Sequence, residues 1–353
     1  MEILDRPQDY KKLDPTQIIQ NILELPDQMG IVWQEMKKFV LPSHYIQCKK
    51  IVMTGMGGSS MGAALVKTLT DPTTKMPIEV VREYNLPNYV DEKTLVIGIS
   101  YSGNTEETVS AVSDALKRGG KIIGISSGGK METLSRKHHF PFYKINYGSQ
   151  PRAALGYSYT ALLAIMSKLG NIEITDEMIK KTVSQMKLAM KKISPENETA
   201  QNPAKQMARQ ILGKIPVIIG AQTMSEVARR YKGQFNENSK STAYFEALPE
   251  MNHGALAGTV FPEKVSEKIF VIFLSSKFNH PQNKKRIDIT GQIFEKRRIP
   301  YEIIEPSPAA NPMAEQMLSI HFGDFVSYYL ALLHNTDPEE IEIVDFLKES
   351  LKR

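Results

Sequence analysis

The feature that most constrains this chain is a set of short, unbroken apolar runs rich in β-branched residues: KIVMT, TLVIGI, KIIGI, then IPVIIG and KIFVIFL. A strand with one face in water alternates apolar and polar residues, because successive side chains point to opposite faces. An unbroken run has both faces covered, which is the condition of a parallel sheet between layers of helix. Helix-like segments stand between the runs, among them SSMGAALVKTL, EETVSAVSDALKR and KRIDITGQIFEKRR. The expected fold class is therefore α/β, with doubly wound parallel sheets and flanking helices.

The pattern starts twice. A helical region of about Thr16 to Phe39 precedes strands in KIVMTGM, PIEVVRE, TLVIGIS, KIIGISS and FPFYKI. A helical stretch rich in Met, Ile and Lys then covers about Leu155 to Leu212, broken by a Pro/Asn-rich turn from Ser194 to Pro203. Strands return in IPVIIG, KIFVIFLSS and YEIIE, and two helices, about Met313 to His334 and Glu339 to Leu351, close the chain. VMTGMGGSSMGAAL aligns with VIIGAQTMSEVARR, and TLVIGISYSGNTEET with IFVIFLSSKFNHPQN. This reads as duplication of a whole α/β subdomain whose second copy has lost the glycine-rich and hydroxyl-rich loops.

Bulk properties narrow the function classes. A chain of 353 residues suits two domains, and 41% hydrophobic with 24% charged residues is the composition of a soluble globular protein. No apolar run approaches the roughly 18 residues of a membrane span. The polar start, MEILDRPQDYKKLDP, is unlike a secretory signal, and the single cysteine, Cys48, excludes an internal disulfide framework, so a cytoplasmic location is expected. The net charge of +5 is mild. Its clusters at Asn283–Arg286 and Lys296–Arg298 read as the solvated face of one helix; with no interleaved aromatics, nucleic acid is not an expected partner. His138, His139, His280, His321 and His334 show no metal-ligand spacing, so neither a metal nor another cofactor is expected.

Chemistry gathers in two loops, each following a strand and preceding a helix. In Gly55-Met-Gly-Gly-Ser-Ser60 the glycines let backbone N–H groups approach an anion at a positive helix end. It lacks the Gly-Lys-Ser/Thr end of a P-loop, and Ser60 stands where Gly-x-Gly-x-x-Gly requires its last glycine. In Ser100-Tyr-Ser-Gly-Asn-Thr-Glu-Glu-Thr108, the hydroxyls of Ser100, Ser102 and Thr105 could each donate to a phosphate oxygen. The competing reading is a capped helix, with Asn104 or Ser102 as N-cap and Glu106 or Glu107 in the first turn. Ligands of open α/β sheets bind outside the carboxyl ends of strands, where both loops lie, and this favours a phosphate site.

The motifs GMGGSS, SYSGNTEET, PRAALGYS, FNENSK and the Asn-His of PEMNHGAL, in that order along the whole chain, resemble the bifunctional phosphoglucose/phosphomannose isomerases, a branch of the sugar-isomerase (SIS) fold. GMGGS and SxSGNT specify only a sugar-phosphate-binding domain; PRxxxGY with QFNENSK is much more specific. The resemblance implies two SIS-like subdomains, an N-terminal phosphosugar-binding domain over 1–153 and a C-terminal one over 154–353. It implies that Gly58, Ser59, Ser100, Ser102 and Thr105 hold the sugar phosphate and that Arg152 lies by the C1–C2 end. Glu237 becomes the catalytic base, His253 assists ring opening, and Lys348 or Lys352 completes the site, with Lys348 the better fit. It further implies a homodimer in which His253 is contributed across the interface, and a hexose 6-phosphate as substrate.

The chemistry is consistent with those residue types. Aldose–ketose isomerisation moves a proton between adjacent carbons through an enediol, which needs one carboxylate to accept and return it. An always-charged guanidinium suits the developing enediolate oxygen, and a histidine in a polar turn can move a proton near neutral pH. Without the resemblance, Glu237 reads as a surface residue at a helix end, Arg152 as half of an ion pair, and His253 as a turn residue. Isomerisation of an amino-sugar phosphate is disfavoured, because the amidotransferase partner of that chemistry begins on a cysteine and this chain begins Met1-Glu2. A non-catalytic sugar-phosphate sensor is the alternative from another class; no helix-turn-helix pattern precedes the first strand.

Overall fold

The structure, a computed structural model, describes residues 2–351. The chain forms two compact units, one of Glu24–Gln185 and one of Met1–Leu23 with Met186–Arg353. The expected division at 153/154 differs from this. The helix after Arg152 packs on helices of the first sheet, and the N-terminal segment is tied to residues far downstream. Lys205, with no exposed surface, donates to the carbonyls of Leu4 (2.6 Å), Asn197 (2.7 Å) and Pro195 (2.8 Å). Asp14 accepts the N–H groups of Ile18 (2.8 Å) and Ile19 (3.2 Å), capping α1 (Ile18–Leu23), and also the Tyr328 hydroxyl.

In the unit Glu24–Gln185, α2 (Leu25–Lys37) leads to β1 (Lys50–Thr54), α3 (Gly57–Thr70), β2 (Ile78–Val81), β3 (Thr94–Ile99) and α4 (Glu106–Lys117). Then come β4 (Lys121–Ser126), α5 (Gly129–His138), β5 (Phe142–Lys144) and α6 (Leu155–Lys168). The strands form one parallel sheet in the order β2-β1-β3-β4-β5. Every residue of β3 is buried, as an unbroken apolar run requires. Val52, Val96 and Ile122 from adjacent strands pack under Val112 of α4 and Met131 of α5; burying each such side chain contributes about 1.5–3 kcal/mol. The order of the strands reverses between β1 and β3, and that point is where ligands enter such sheets.

The division between units falls inside α7 (Asp176–Ile193). The expected helical stretch from Leu155 to Leu212 is thus broken at residues 169–175 as well as at the Ser194–Pro203 turn. Beyond that turn, Asn202 caps α8 (Pro203–Ile211) by accepting from the Ala204 and Lys205 N–H groups. The second sheet follows: β6 (Ile215–Ala221), α9 (Ser225–Glu237), β7 (Tyr244–Leu248), a short α10 (Val265–Lys268), β8 (Ile269–Leu274), α11 (Pro281–Lys296) and β9 (Tyr301–Ile304). Its order is β7-β6-β8-β9, again parallel throughout. The chain closes with α12 (Pro312–Leu333), which is almost wholly buried, and α13 (Glu342–Ser350), which has no buried residue.

The duplication holds at the level of register. The alignment pairs Val52 with Val217 and Val96 with Val271, and in the two sheets Val52 faces Val96 while Val217 faces Val271. β7 has no counterpart among the sequence expectations, because YFEAL is a half-exposed edge strand without an apolar run. Among the described residues, no helix is long and apolar enough to cross a membrane.

Candidate functional site

Three loops leave the carboxyl edge of the first sheet and lock together. Between β3 and α4, Ser100 is fully buried; its Oγ shares a hydrogen bond with Thr105 Oγ1 at 2.8 Å and accepts the Thr105 N–H at 3.3 Å. Ser59, from the turn between β1 and α3, accepts the Tyr101 N–H on its Oγ at 3.0 Å. Ser102 Oγ accepts the Asn104 N–H at 3.2 Å. In these bonds the hydroxyls mostly accept. Among the described residues, the hydroxyl hydrogens of Ser59 and Ser102, and one from the Ser100–Thr105 pair, have no protein acceptor.

The capped-helix reading of SYSGNT is not what the structure contains. The N-cap of α4 is Thr105, which makes no side-chain capping bond. Asn104 turns away and accepts the Lys130 N–H at 3.0 Å, in the first turn of α5. The N-cap of α3, Met56, makes no side-chain capping bond either. Two helix ends with partial positive charge thus open on one edge beside unused hydroxyl donors, an arrangement suited to an anion.

The sequence reading missed the third loop, Ser126-Ser-Gly-Gly129, between β4 and α5. Ser127 donates to the Tyr101 carbonyl from both its N–H (2.8 Å) and its Oγ (2.7 Å). Gly103 explains the tightness: at φ +69°, a Cβ there would stand 1.8 Å from the Gly128 carbonyl oxygen. The available signal was a run of serines and glycines after a strand, the same kind of signal as in the other two loops.

Arg152 lies on a 3-10 turn, Pro151–Ala154, and is 3% exposed. The turn abuts the glycine loop so closely that a Cβ on Gly58 would lie 3.2 Å from Arg152 Cα. Gln28 of α2 clamps it, donating to the Ala153 carbonyl at 2.9 Å and accepting the Gly156 N–H at 3.1 Å. Tyr101 reaches the same segment, its hydroxyl donating to the Tyr147 carbonyl and accepting the Ser149 N–H. Gly58, Ser59, Ser100, Ser102, Thr105 and the Arg152 turn therefore form one connected edge of this unit.

The second sheet provides an internal comparison. The loop Ser275–His280 matches Ser100–Thr105 in length, six residues between strand and helix in each case. There Ser276 Oγ donates to the carboxylate of Glu315 on α12, and the Lys277 N–H donates to the same carboxylate at 3.2 Å. Glu315 has no exposed surface, and burial pushes its pKa up, opposed by the bonds from Ser276 and Lys277. His280 caps α11 by accepting the Gln282 N–H at 3.2 Å. Here the protein supplies both its own anion and its own cap.

The other residues expected at the site belong to the second unit. Glu237 is the last residue of α9 and is half-buried. Of the asparagines flanking it, Asn236 donates to the Ser241 carbonyl at 2.7 Å, and Asn238 donates to Ser327 Oγ of α12 at 3.0 Å. His253 ends a 3-10 turn, Glu250–His253, and is exposed. Lys348 is exposed on α13 and paired with Asp345 at 3.1 Å; Lys352 lies outside the described residues. Among the described residues, no group of three or more His, Cys, Asp and Glu side chains is placed to hold a metal ion.

Comparison with known proteins agrees with this architecture. Residues 44–169 match the family model described as SIS domain, and residues 200–351 match the one described as Bacterial phospho-glucose isomerase C-terminal SIS domain. A bifunctional phosphoglucose/phosphomannose isomerase of Caldicellulosiruptor bescii is 38% identical over 95% of this chain and 98% of its own length. A protein of the same description from Aquifex aeolicus is 34% identical over 91% and 94%. Among solved structures, the C-terminal domain of glucosamine-fructose-6-phosphate aminotransferase from Francisella tularensis superposes with a TM-score of 0.72 at 16% identity, covering 92% of this chain and 98% of that one, a likeness of fold. The chain belongs to the bifunctional phosphoglucose/phosphomannose isomerase family.

Proposed function

We propose that this protein interconverts glucose 6-phosphate, and also mannose 6-phosphate, with fructose 6-phosphate through a cis-enediol. The relatives' names supply the substrate class. The observation that carries the reading here is the contrast between matched loops: Ser276 and Lys277 are satisfied by Glu315, whereas among the described residues no carboxylate bonds to the hydroxyls around Ser100–Thr105. A phosphate dianion matches those donors in charge and in acceptor number. In this reading Gly58, Ser59, Ser102 and Thr105 hold the phosphate, and the buried Ser100 orients the Thr105 hydroxyl.

With the phosphate anchored, the chemistry is proton transfer. Glu237 removes the C2 proton of the open-chain aldose and returns it to C1, while the O2 hydroxyl gives up its proton and O1 gains one, so the aldehyde becomes the ketone with no net redox change. Arg152 stabilises the enediolate oxygen. His253 and Lys348 move protons during ring opening. The enzyme acts as a homodimer in which His253 serves the partner's site, and it works in the cytoplasm; the exposure of His253 supports its use outside its own unit. Since only protons move, the reaction as proposed uses no cofactor. Product analysis by NMR with both hexose 6-phosphates in deuterated water tests it: fructose 6-phosphate carrying deuterium at C1 is expected from each, and no turnover of either would refute it.

A further inference from the structure

Glu237 stands at the end of α9, and the face of α9 adjacent to it carries an unusual set of buried polar residues. Arg230, Gln234 and Asn238 follow one another at i, i+4 and i+8, a spacing that stacks them on one side of the helix. They are 3%, 3% and 1% exposed. All three meet α12, where Asp324 and Ser327 occupy one face at i and i+3. An Arg230 guanidinium nitrogen lies 3.3 Å from Asp324 Oδ1, and Gln234 donates to the same oxygen at 2.7 Å. Asn238 donates to Ser327 Oγ at 3.0 Å, and Ser327 Oγ in turn donates to the Asp324 carbonyl at 2.9 Å. A turn earlier, the Tyr231 hydroxyl donates to the Ser319 carbonyl at 2.7 Å.

The hydrophobic driving force is non-directional, whereas hydrogen bonds lose strength steeply when misaligned. A ladder of directional bonds along two and a half turns therefore fixes the azimuth of α9, and its last rung, Asn238, is the residue next to Glu237. Glu237 stands seven residues beyond Arg230 and three beyond Gln234, at the edge of the bolted face, and its Oε1 is 4.0 Å from where a Cβ would stand on Gly233, one turn back. Rotation of α9 would carry the carboxylate along an arc, and proton abstraction tolerates little displacement of the base.

We infer that Asp324 and Ser327 are positioning residues for the isomerisation: they hold α9 at the one rotation that aims the Glu237 carboxylate at the carbon-bound proton. This rests on the reading of Glu237 as the base. The test is a double-mutant cycle of Ser327→Ala with Glu237→Gln on the full chain, reading kcat, KM for glucose 6-phosphate and the unfolding midpoint. Ser327→Ala alone is expected to lower kcat about tenfold with KM within about twofold, and to have no further effect in the Glu237→Gln background, because the ladder acts only through that carboxylate. An unchanged kcat, a loss confined to KM, or a loss that multiplies with that of Glu237→Gln would overturn the ladder while leaving the base intact. Residual activity of Glu237→Gln within about tenfold of wild type would instead remove the base assignment, and the ladder's role with it. Should Ser327→Ala fold poorly, Asp324→Asn, which keeps an acceptor for Gln234, is held to the same criteria.

Discussion

The carboxylate of Glu315 accepts the Lys277 N–H at 3.2 Å, so the loop after β8 is closed by an anion from the protein itself. Among the described residues, the matching loop after β3 has hydroxyls in place and no carboxylate bonded to them. The duplication thus carries its own control, in which one copy answers the helix-end charge internally and the other does not.

That contrast makes a specific prediction. Ser102→Ala and Thr105→Val each remove one donor to a charged acceptor, a bond contributing about 1.5–3 kcal/mol, so kcat/KM for glucose 6-phosphate should fall by about tenfold or more in each. Inhibition by inorganic phosphate should weaken in parallel. Ser276→Ala, at the equivalent place in the second sheet, should cost about 1–3 kcal/mol of stability by uncovering the buried Glu315 while KM stays within about twofold. Steady-state kinetics and denaturant unfolding of the three variants check this directly.

Gly103→Ala should be far worse than an ordinary loop change. The left-handed conformation costs an L-residue about 1–2 kcal/mol, and the new methyl would meet the Gly128 carbonyl at 1.8 Å. Loss of more than about 2 kcal/mol, with weakened phosphate inhibition even where the variant folds, is the expected result from thermal unfolding and inhibition assays.

His321 makes the fold sensitive to acid. It is fully buried on α12, its Nε2 is 2.8 Å from the Ile22 carbonyl, and burial pushes its pKa down to about 4 from an ordinary 6.5. A base with a depressed folded-state pKa gives its full stability above the unfolded value and loses it as pH falls toward the folded one. At 1.36 kcal/mol per unit, the wild type should lose about 3 kcal/mol between pH 7 and pH 4 that His321→Gln does not lose. Denaturant unfolding of both proteins at several pH values measures the difference.

Much of this architecture was legible because covered strands betray themselves as unbroken apolar runs, and because the two halves preserved register as well as pattern. Val96 and Val271 were aligned from sequence and proved to face the aligned partners Val52 and Val217. β7 was illegible for the converse reason, since an edge strand such as Tyr244–Leu248 is half in water and carries no continuous run. Of the site, the loops after β1 and β3 showed themselves by their hydroxyls and glycines, while the loop after β4 went unread. What pairs with them did not show: Asn104, one of the two N-cap candidates of the competing reading, instead accepts from α5. Glu315 lies 38 residues beyond Lys277, on another helix, with no local pattern to mark it. Gln28, which clamps the Arg152 turn, is 125 residues before the carbonyl it meets. Long-range partners of this kind follow from the topology of the sheet, which must be known first.

The central claim is that one carboxylate, Glu237, carries the proton between C2 and C1 of a bound hexose 6-phosphate. The most direct test is turnover of Glu237→Gln with glucose 6-phosphate in deuterated water, followed by NMR at C1 and C2. Positioned acid–base groups contribute about 10²–10⁴-fold, so kcat should fall at least a hundredfold and deuterium exchange should fall with it, while KM stays within about threefold. Activity within about tenfold of wild type, with deuterium still entering at C1, would contradict the account.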